Sequence, residues 1–257
     1  MKENMPNIKS LGQFIQAVNK IQVDWSESYD EFVFPWFRGH SNQSFKLLPG
    51  LFRDNKDIDN ENSYRHDFAQ KGYPYLADTT FGVPVSDWEW YFLMQHYGLP
   101  TRLLDWTEGS LIALYFALFY KPESDDSHPC VWMLDPFKFN LKCQKSSEIF
   151  LFSDPHVDPY LPEIWSSDLL PEEPIAIQPV YKSKRIAVQK GTFTIHGGKK
   201  IPLEDMHELQ DCLAKIIINY REIDLIKAEL QVAGITESSL FPELGGLSRE
   251  LKEYWRR

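Results

Sequence analysis

Apolar residues first recur at helical spacing and then give way to an aromatic run. Between residues 10 and 21 they repeat every three to four positions, which predicts an amphipathic helix with Ser10 as its cap. FVFPWFRGH, residues 32–40, is aromatic and β-branched, and it predicts a strand that ends near Arg38. Gly39 permits a turn at that point.

The central part of the chain predicts two helices around a polar segment. Residues 54–62 are charged and predict an exposed loop. SDWEWYFLMQHYG then begins with a Ser86 cap and Glu89 as its capping-box partner, and it stops at Gly98. After a connection that dips into the core, SLIALYFALFY, residues 110–120, predicts a second, buried helix.

The second half of the chain predicts mainly strands, followed by helix. CVWMLD, residues 130–135, predicts a buried strand, and residues 137–173 predict long loops with short strands. Residues 175–180 and 185–197 carry near-alternating β-branched and aromatic residues typical of strands. Residues 204–233 have helical spacing.

These elements together predict the fold class. Helices at both ends and before a run of strands predict a single α+β domain, with a mixed β-sheet core and helices packed around it. Residues 1–30 form an N-terminal helical segment, and residues 248–257 form a charged tail. We therefore expect one domain across residues 1–257.

Charge and composition restrict the partners. A formal net charge of −10 repels nucleic acid and anionic membranes, so neither is an expected partner. Three distant cysteines and an N-terminus without a signal-peptide pattern predict a cytoplasmic protein. No HxH or HExxH spacing occurs, and no metal site is predicted. Walker, Rossmann and serine-hydrolase motifs are likewise missing from the sequence.

The segment QHYGLPTRLLDWT, residues 95–107, places polar groups between two apolar flanks. Buried polar groups need internal hydrogen bonds or a ligand. We therefore expect this segment to form one wall of a pocket that faces Arg38.

Six motifs resemble the FRG domain family, named for its Phe/Tyr-Arg-Gly motif. They are FRG at 37–39, QHYGLPTRLLDWT, IALYFAL just after it, VWMLDP at 131–136, VQKGTFTIHGG at 188–198 and GITESSLFPELGGL at 234–247. The resemblance implies an FRG core over residues 31–247. It does not by itself imply a biochemical activity.

The order of these motifs also resembles the core of ADP-ribosyltransferases. That resemblance implies that Arg38 at a strand end grips NAD or a related nucleotide, that Thr107 orients the nicotinamide side, and that Gln189 takes the place of the late-strand carboxylate. A bacterial or phage toxin or defence setting would fit. Gln supplies no charge for a cationic transition state, so Asp105 or Glu237 is a candidate replacement.

Each candidate residue has a structural alternative. Arg38 or Arg102 could be the ion-pair partner of Asp105, Thr107 could cap the second helix, and His96 could cap the end of the first. The predicted catalytic residues are Arg38, Asp105, Thr107 and Gln189. The predicted substrate-binding residues are Gly39, His40, His96, Tyr97, Arg102 and Trp106.

Three functions remain open at this point. The first is an ADP-ribosyltransferase-like enzyme that uses NAD as its substrate and has a protein acceptor. The second is a non-catalytic module that senses a nucleotide, another small molecule or a peptide. The third is a metal-independent nuclease that uses His40, His96 and Arg102.

Overall fold

The computed structural model describes residues 7–27, 32–78, 82–119, 127–161, 170–179 and 184–255. The α-helices within these ranges are α1 (Leu11–Glu27), α2 (Gly50–Arg53), α3 (Ile58–Gly72), α4 (Asp87–His96), α5 (Ser110–Phe119), α6 (Pro136–Gln144), α7 (Lys184–Gln189), α8 (Ile223–Val232), α9 (Glu237–Leu240) and α10 (Leu244–Tyr254). The strands are β1 (Trp36–His40), β2 (Leu103–Thr107), β3 (Cys130–Leu134), β4 (Phe150–Leu151), β5 (Ile175–Gln178), β6 (Gly191–Ile195) and β7 (Leu213–Ile217).

Within the described ranges the strands form one seven-stranded sheet in the order β4-β5-β6-β2-β1-β3-β7. The pair β4 and β5 is parallel, and the other neighbouring pairs are antiparallel. The sheet is therefore mixed, and the prediction of an α+β fold is confirmed.

Side chains alternate between the two faces of the sheet, and each face has its own core. On one face Phe37, Val131 and Met133 pack against α1, α5 and α8. On the other face Trp36 and Trp106 pack with residues of α6 and of the 3₁₀ turns at Leu203–Asp205 and His207–Leu209. A third core joins α4 to β5 and β6.

The sheet opens between β1 and β2. These strands pair at one position, Phe37 with Thr107. In contrast, β1 pairs with β3 at five positions, and β2 pairs with β6 at five positions. Beyond Phe37 the two central strands diverge, and there the Asp105 carbonyl accepts a hydrogen bond from the Arg38 side chain instead of from a backbone amide of β1.

Several predicted elements are confirmed with small shifts. The first helix extends over Leu11–Glu27, and the aromatic strand is the later segment Trp36–His40. The Ser86 hydroxyl accepts a hydrogen bond from the Glu89 amide as expected, but the Glu89 carboxylate accepts from Val85 instead of Ser86. The predicted helix over 110–120 begins at Ser110, and its last residue, Tyr120, lies outside the described residues.

Two predicted elements in the second half are wrong in type over part of their length, although β6 lies within the predicted strand and α8 lies within the predicted helix. The predicted strand over 185–197 begins as helix α7, and Lys190, with φ of 47°, separates this helix from β6. Gln189 therefore ends a helix and does not lie on a strand. The predicted helix over 204–233 contains the strand β7, because pairing with β3 at five positions overrides the helical spacing of its apolar residues.

Helix α6 lies in a segment that was predicted to be loop. The Asp135 carboxylate accepts hydrogen bonds from the amides of Phe137 and Lys138, each at 3.1 Å, and Pro136 occupies the first helical turn. An Asp cap followed by proline is a standard signal for the start of a helix. That signal was present in the sequence and outweighs the polar composition that follows.

Helix α3 also departs from the sequence prediction. It occupies part of the predicted exposed loop, since the Asp57 side chain caps it through the Asn60 amide. Glu61 in its first turn is fully buried.

Candidate functional site

A pocket of about 420 Å³ lies at the opening between β1 and β2. Its walls come from both strands, the end of α4, the start of α7, β6 and the face of α5. The lining residues are Phe37, Arg38, Gly39, His40, Ser41, Phe45, Arg53, Phe92, Gln95, His96, Asp105, Trp106, Thr107, Ala113, Phe116, Arg185, Ile186, Gln189, Gly191 and Phe193.

Arg38 spans the opening between the two strands. Its Nη1 donates to the Asp105 carbonyl at 2.5 Å, and the same nitrogen lies 3.7 Å from the Asp105 carboxylate. Its Nε donates to His40 Nε2 at 3.0 Å. The side chain is only 17% exposed. The guanidinium is thus fixed at the cleft by strand contacts, with its charge directed to the pocket.

His40 is held neutral by its surroundings. Burial, and after it the charge of Arg38, lowers the pKa of His40 to about 3. A neutral imidazole can accept the hydrogen bond from Arg38, whereas a protonated one cannot. His40 therefore orients Arg38 without adding positive charge to the pocket.

The stability of the protein should fall as the pH decreases from 7 to 5. Burial lowers the pKa values of both His40 and His196 to about 3, so below pH 6.5 the unfolded chain binds protons that the folded chain does not. We expect urea unfolding at pH 5 to give a free energy lower by about 2 kcal/mol for each of the two residues. His40→Gln should remove about half of this loss of stability between pH 7 and pH 5. If the loss is unchanged in His40→Gln, the pKa of His40 is not lowered as described.

Asp105 and Gln95 form a polar chain at the floor of the cleft. Gln95 Nε2 donates to Asp105 Oδ2 at 2.9 Å, and Thr101 Oγ1 donates to Gln95 Oε1 at 2.5 Å. The Asp105 side chain is 56% exposed. Among the pocket-lining residues it supplies the carboxylate, held in place by Gln95 but open to a ligand.

Thr107 and Gln189 hold two walls together. The Thr107 hydroxyl donates to the Gln189 carbonyl at 2.6 Å and accepts from the Gly109 amide at 3.0 Å. The Gln189 side chain donates to the Leu240 carbonyl at 3.0 Å. Both residues line the pocket, but their polar groups are occupied by backbone partners. Thr107 thus joins β2 to α7, and the Gln189 side chain joins α7 to α9.

Two further cations line the pocket, and sequence reasoning did not select either. Arg53 ends α2, and Arg185 lies in α7. Within the described ranges neither guanidinium has a carboxylate within salt-bridge distance. No sequence motif marks either residue, and the segment that contains Arg185 was predicted to be a strand.

The remaining predicted substrate-binding residues divide into two groups. Gly39, His96 and Trp106 line the pocket with His40, although the Trp106 indole donates to Thr194 and packs mainly in the core. Tyr97 is exposed beside His96 and is not part of the lining.

Arg102 and Glu237 lie away from the pocket, each in a network of its own. Arg102 Nε donates to Glu61 Oε2 at 2.6 Å, and both side chains are fully buried. Glu237 accepts hydrogen bonds from Tyr115 and Arg249. Of the two carboxylates considered as replacements for the missing strand acid, Asp105 is therefore the one that lines the cleft.

The predicted wall is formed by part of residues 95–107. Gln95, His96, Asp105, Trp106 and Thr107 line the same pocket as Arg38, whereas residues 97–104 are not part of the lining. The apolar flanks do anchor this segment, as α4 and α5 are both packed against the sheet.

The described residues contain neither a cluster of metal ligands nor a membrane-spanning helix. In those ranges no group of three or more His, Cys, Asp or Glu side chains is arranged to hold a metal ion. None of the helices described is both long enough and apolar enough to cross a bilayer.

Comparison with known proteins identifies one family. Residues 35–126 match the model of the FRG domain, and no curated protein or solved structure matches the chain. The match includes β1, α4, β2 and α5, and therefore Arg38, Gln95 and Asp105; α7 and β6 lie beyond it. The three motifs after residue 126 lie outside the match. The FRG resemblance of FRG, QHYGLPTRLLDWT and IALYFAL is confirmed, and this chain carries an FRG domain at residues 35–126.

Proposed function

We propose that the pocket binds an anionic ligand with a flat ring, namely NAD or a related nucleotide. The observation that carries this proposal is the charge of the lining. Arg38, Arg53 and Arg185 contribute three guanidinium groups, against the one carboxylate of Asp105. The whole protein has a net charge of −10, so a local excess of positive charge is unexpected unless it has a negatively charged partner.

The apolar part of the lining supports a ligand that contains a ring. Phe45, Phe92, Phe116 and Phe193 line the pocket. Aromatic side chains provide flat surfaces on which a nicotinamide or adenine ring can stack. The pocket volume of about 420 Å³ is within the usual range for a small-molecule site.

Arg38 is proposed to contact phosphate or ribose oxygens of the ligand. Its Nη1 and Nε already have partners, so its second terminal nitrogen, Nη2, is the group that remains for a ligand. A guanidinium presents its donors in a fixed plane, which favours oxygen pairs of defined geometry. His40 and Asp105 fix that plane before the ligand arrives, which reduces the entropy cost of binding.

Transfer of ADP-ribose is the second candidate function, and the position of Asp105 favours it. In such a reaction the bond between the ribose C1′ carbon and the nicotinamide nitrogen breaks, neutral nicotinamide leaves with the bonding electrons, and positive charge develops on the sugar. A nucleophilic oxygen or nitrogen of the protein acceptor forms the new bond to that carbon and gives up its proton to solvent. A carboxylate near that carbon stabilises the charge. Asp105 is the lining carboxylate, is 56% exposed and is oriented by Gln95.

The nuclease alternative has less support. Burial, followed by nearby arginine charges, lowers the pKa values of His40 and His96, so neither is suited to act as a general acid at neutral pH. Arg102, the third residue of that hypothesis, is paired with Glu61 outside the pocket.

Arg38→Met should weaken the binding of NAD and ADP-ribose by at least about 30-fold, because a charge-assisted hydrogen bond contributes roughly 1.5–3 kcal/mol and the substitution also removes the orienting contacts. Titration calorimetry measures the affinity. Mass spectrometry of the same samples measures released nicotinamide, which separates transfer or hydrolysis from binding alone.

The control for this experiment is Arg221→Met. Arg221 stacks on Tyr220 at an exposed position and does not line the pocket. The Arg221→Met variant should bind NAD and ADP-ribose with the same affinity as the wild type. If NAD and ADP-ribose bind equally to the wild type and to Arg38→Met, or bind to neither, the proposed function is wrong.

A further inference from the structure

Arg185 differs from the other pocket cations in the way its side chain is held. Its guanidinium carbon lies 4.9 Å from the centroid of the Phe241 ring. Among the described residues it forms no salt bridge, and it lines the pocket. Stacking on a ring fixes the plane of a guanidinium but leaves its N–H groups, which point outward from the edge, available to a ligand.

Phe241 is itself fixed by close packing. It is buried, and its ring lies 6.0 Å from that of the pocket residue Phe116. Gly246 of α10 approaches so closely that an added Cβ would lie 2.1 Å from the Phe241 carbonyl oxygen. The Phe241 ring also has the guanidinium carbon of Arg249, in α10, at 5.4 Å from its centroid, so the ring that supports Arg185 contacts both α5 and α10.

A second contact fixes the other end of α7. The Gln189 side chain donates to the Leu240 carbonyl, the residue before Phe241. Helix α7 is thus attached at Arg185 and at Gln189 to the same short segment, residues 240–241. These contacts determine where the Arg185 charge lies.

The positive charge of the pocket is distributed over two regions. One lies around His40, where Arg53 is close enough to contribute, after burial and Arg38, to the lowered pKa of that histidine. The other lies beside His96, where burial and then Arg185 lower the pKa. A ligand that occupies both regions needs negative charge at more than one position.

We propose that Arg185 determines ligand specificity by binding a second phosphate, so that the pocket selects nucleotides with a pyrophosphate group over nucleoside monophosphates. Phe241 is a positioning residue that acts through Arg185. This inference rests on the proposed function, because it assumes that the pocket binds an anion.

The test compares ADP, AMP and inorganic pyrophosphate as ligands in titration calorimetry. Wild-type protein should bind ADP at least about 10-fold more tightly than AMP, which corresponds to one added charge-assisted contact. Arg185→Met should abolish that difference and change the AMP affinity by less than about threefold. Phe241→Leu should reduce the difference, whereas Phe241→Tyr, which keeps the aromatic ring, should retain it.

The possible results separate the two proposals. If Arg38→Met weakens binding of ADP and AMP but Arg185→Met keeps the ADP preference, the role of Arg185 is wrong and the nucleotide site stands. If the wild type binds pyrophosphate through Arg185 but no nucleotide, the proposed function is wrong and the anion role of Arg185 stands. If neither pyrophosphate nor nucleotides bind, both proposals are overturned. If Phe241→Leu does not fold, Arg185→Met decides the result.

Discussion

Arg102→Met should lower the free energy of unfolding by about 3–5 kcal/mol, because it leaves a buried carboxylate without its cation. Glu61 is fully buried and receives Arg102 Nε at 2.6 Å and the Arg102 amide at 2.6 Å. The Tyr91 hydroxyl also donates to this carboxylate. Removal of the guanidinium would leave the Glu61 charge in an apolar environment with two weaker partners.

The same side chain connects distant parts of the chain. Arg102 Nη1 donates to the His196 carbonyl at 3.0 Å, and Nη2 donates to the Tyr160 carbonyl at 2.5 Å. Together with Glu61 these bonds join α3, the start of β2, the end of β6 and the 3₁₀ turn Asp158–Tyr160. Arg102→Met would therefore leave two buried carbonyl groups without a donor as well as one unpaired charge.

A double-mutant cycle identifies the cause of the loss. Urea unfolding is measured for the wild type, Arg102→Met, Glu61→Gln and the variant with both substitutions. The double variant should recover part of the loss of Arg102→Met, since no charge remains buried, but not all of it, since the carbonyls of residues 160 and 196 lack donors. Purely additive effects of the two substitutions would contradict a coupled ion pair.

Arg102 also illustrates what a sequence can indicate about such a residue. Its position in a polar segment between two apolar flanks correctly indicated that it needs internal partners or a ligand. Its partner, Glu61, lies in a charged run that predicted an exposed loop. Whether Glu61 is buried or exposed depends on tertiary packing, because only the fold brings residue 61 into contact with the segment that contains residue 102.

Elements with strong local signals could be predicted, and those decided by tertiary pairing could not. The caps and apolar spacing of α1, α4 and α5 were sufficient to predict these helices from the sequence. The apolar residues of β7 fit helical spacing equally well, and their pairing with β3 decides the outcome. In α7 a short helix ends at the left-handed Lys190, although its Val and Ile residues favour a strand.

The candidate site shows the same division. Arg38 and Asp105 were found because FRG and LLDWT are sequence motifs, and the family match covers both. Arg53 and Arg185 were missed because their position in the pocket depends on where α2 and α7 meet the cleft. The sequence motifs therefore identify Arg38 and Asp105, whereas Arg53 and Arg185 are recognised only once the fold places them at the cleft.

Gly39→Ala should destabilise the protein by about 3 kcal/mol or more, at the upper end of the usual cost of overpacking. A Cβ at this position would lie 2.0 Å from the Ala113 carbonyl oxygen and 2.5 Å from the Ala117 amide nitrogen. Both atoms belong to the backbone of α5, so no side-chain rotation can relieve the clash. Strand β1 and helix α5 would have to separate, and Phe37 and Val131 pack in the core between them.

This result would also correct the role that sequence reasoning gave to Gly39. The residue lies within β1, and it is needed for close approach of the helix to the strand instead of for a turn.

Gly12→Ala is the matched control, because its added Cβ would have only Ser10 Oγ nearby, at 3.9 Å, and it lies in α1. Urea unfolding should show Gly12→Ala more stable by about 0.5–1 kcal/mol. If Gly39→Ala stays within about 1 kcal/mol of the wild type, the lower end of the overpacking range, the contact between β1 and α5 does not require glycine. Strong destabilisation would instead mean that α5 packs against β1 at a distance that only glycine allows.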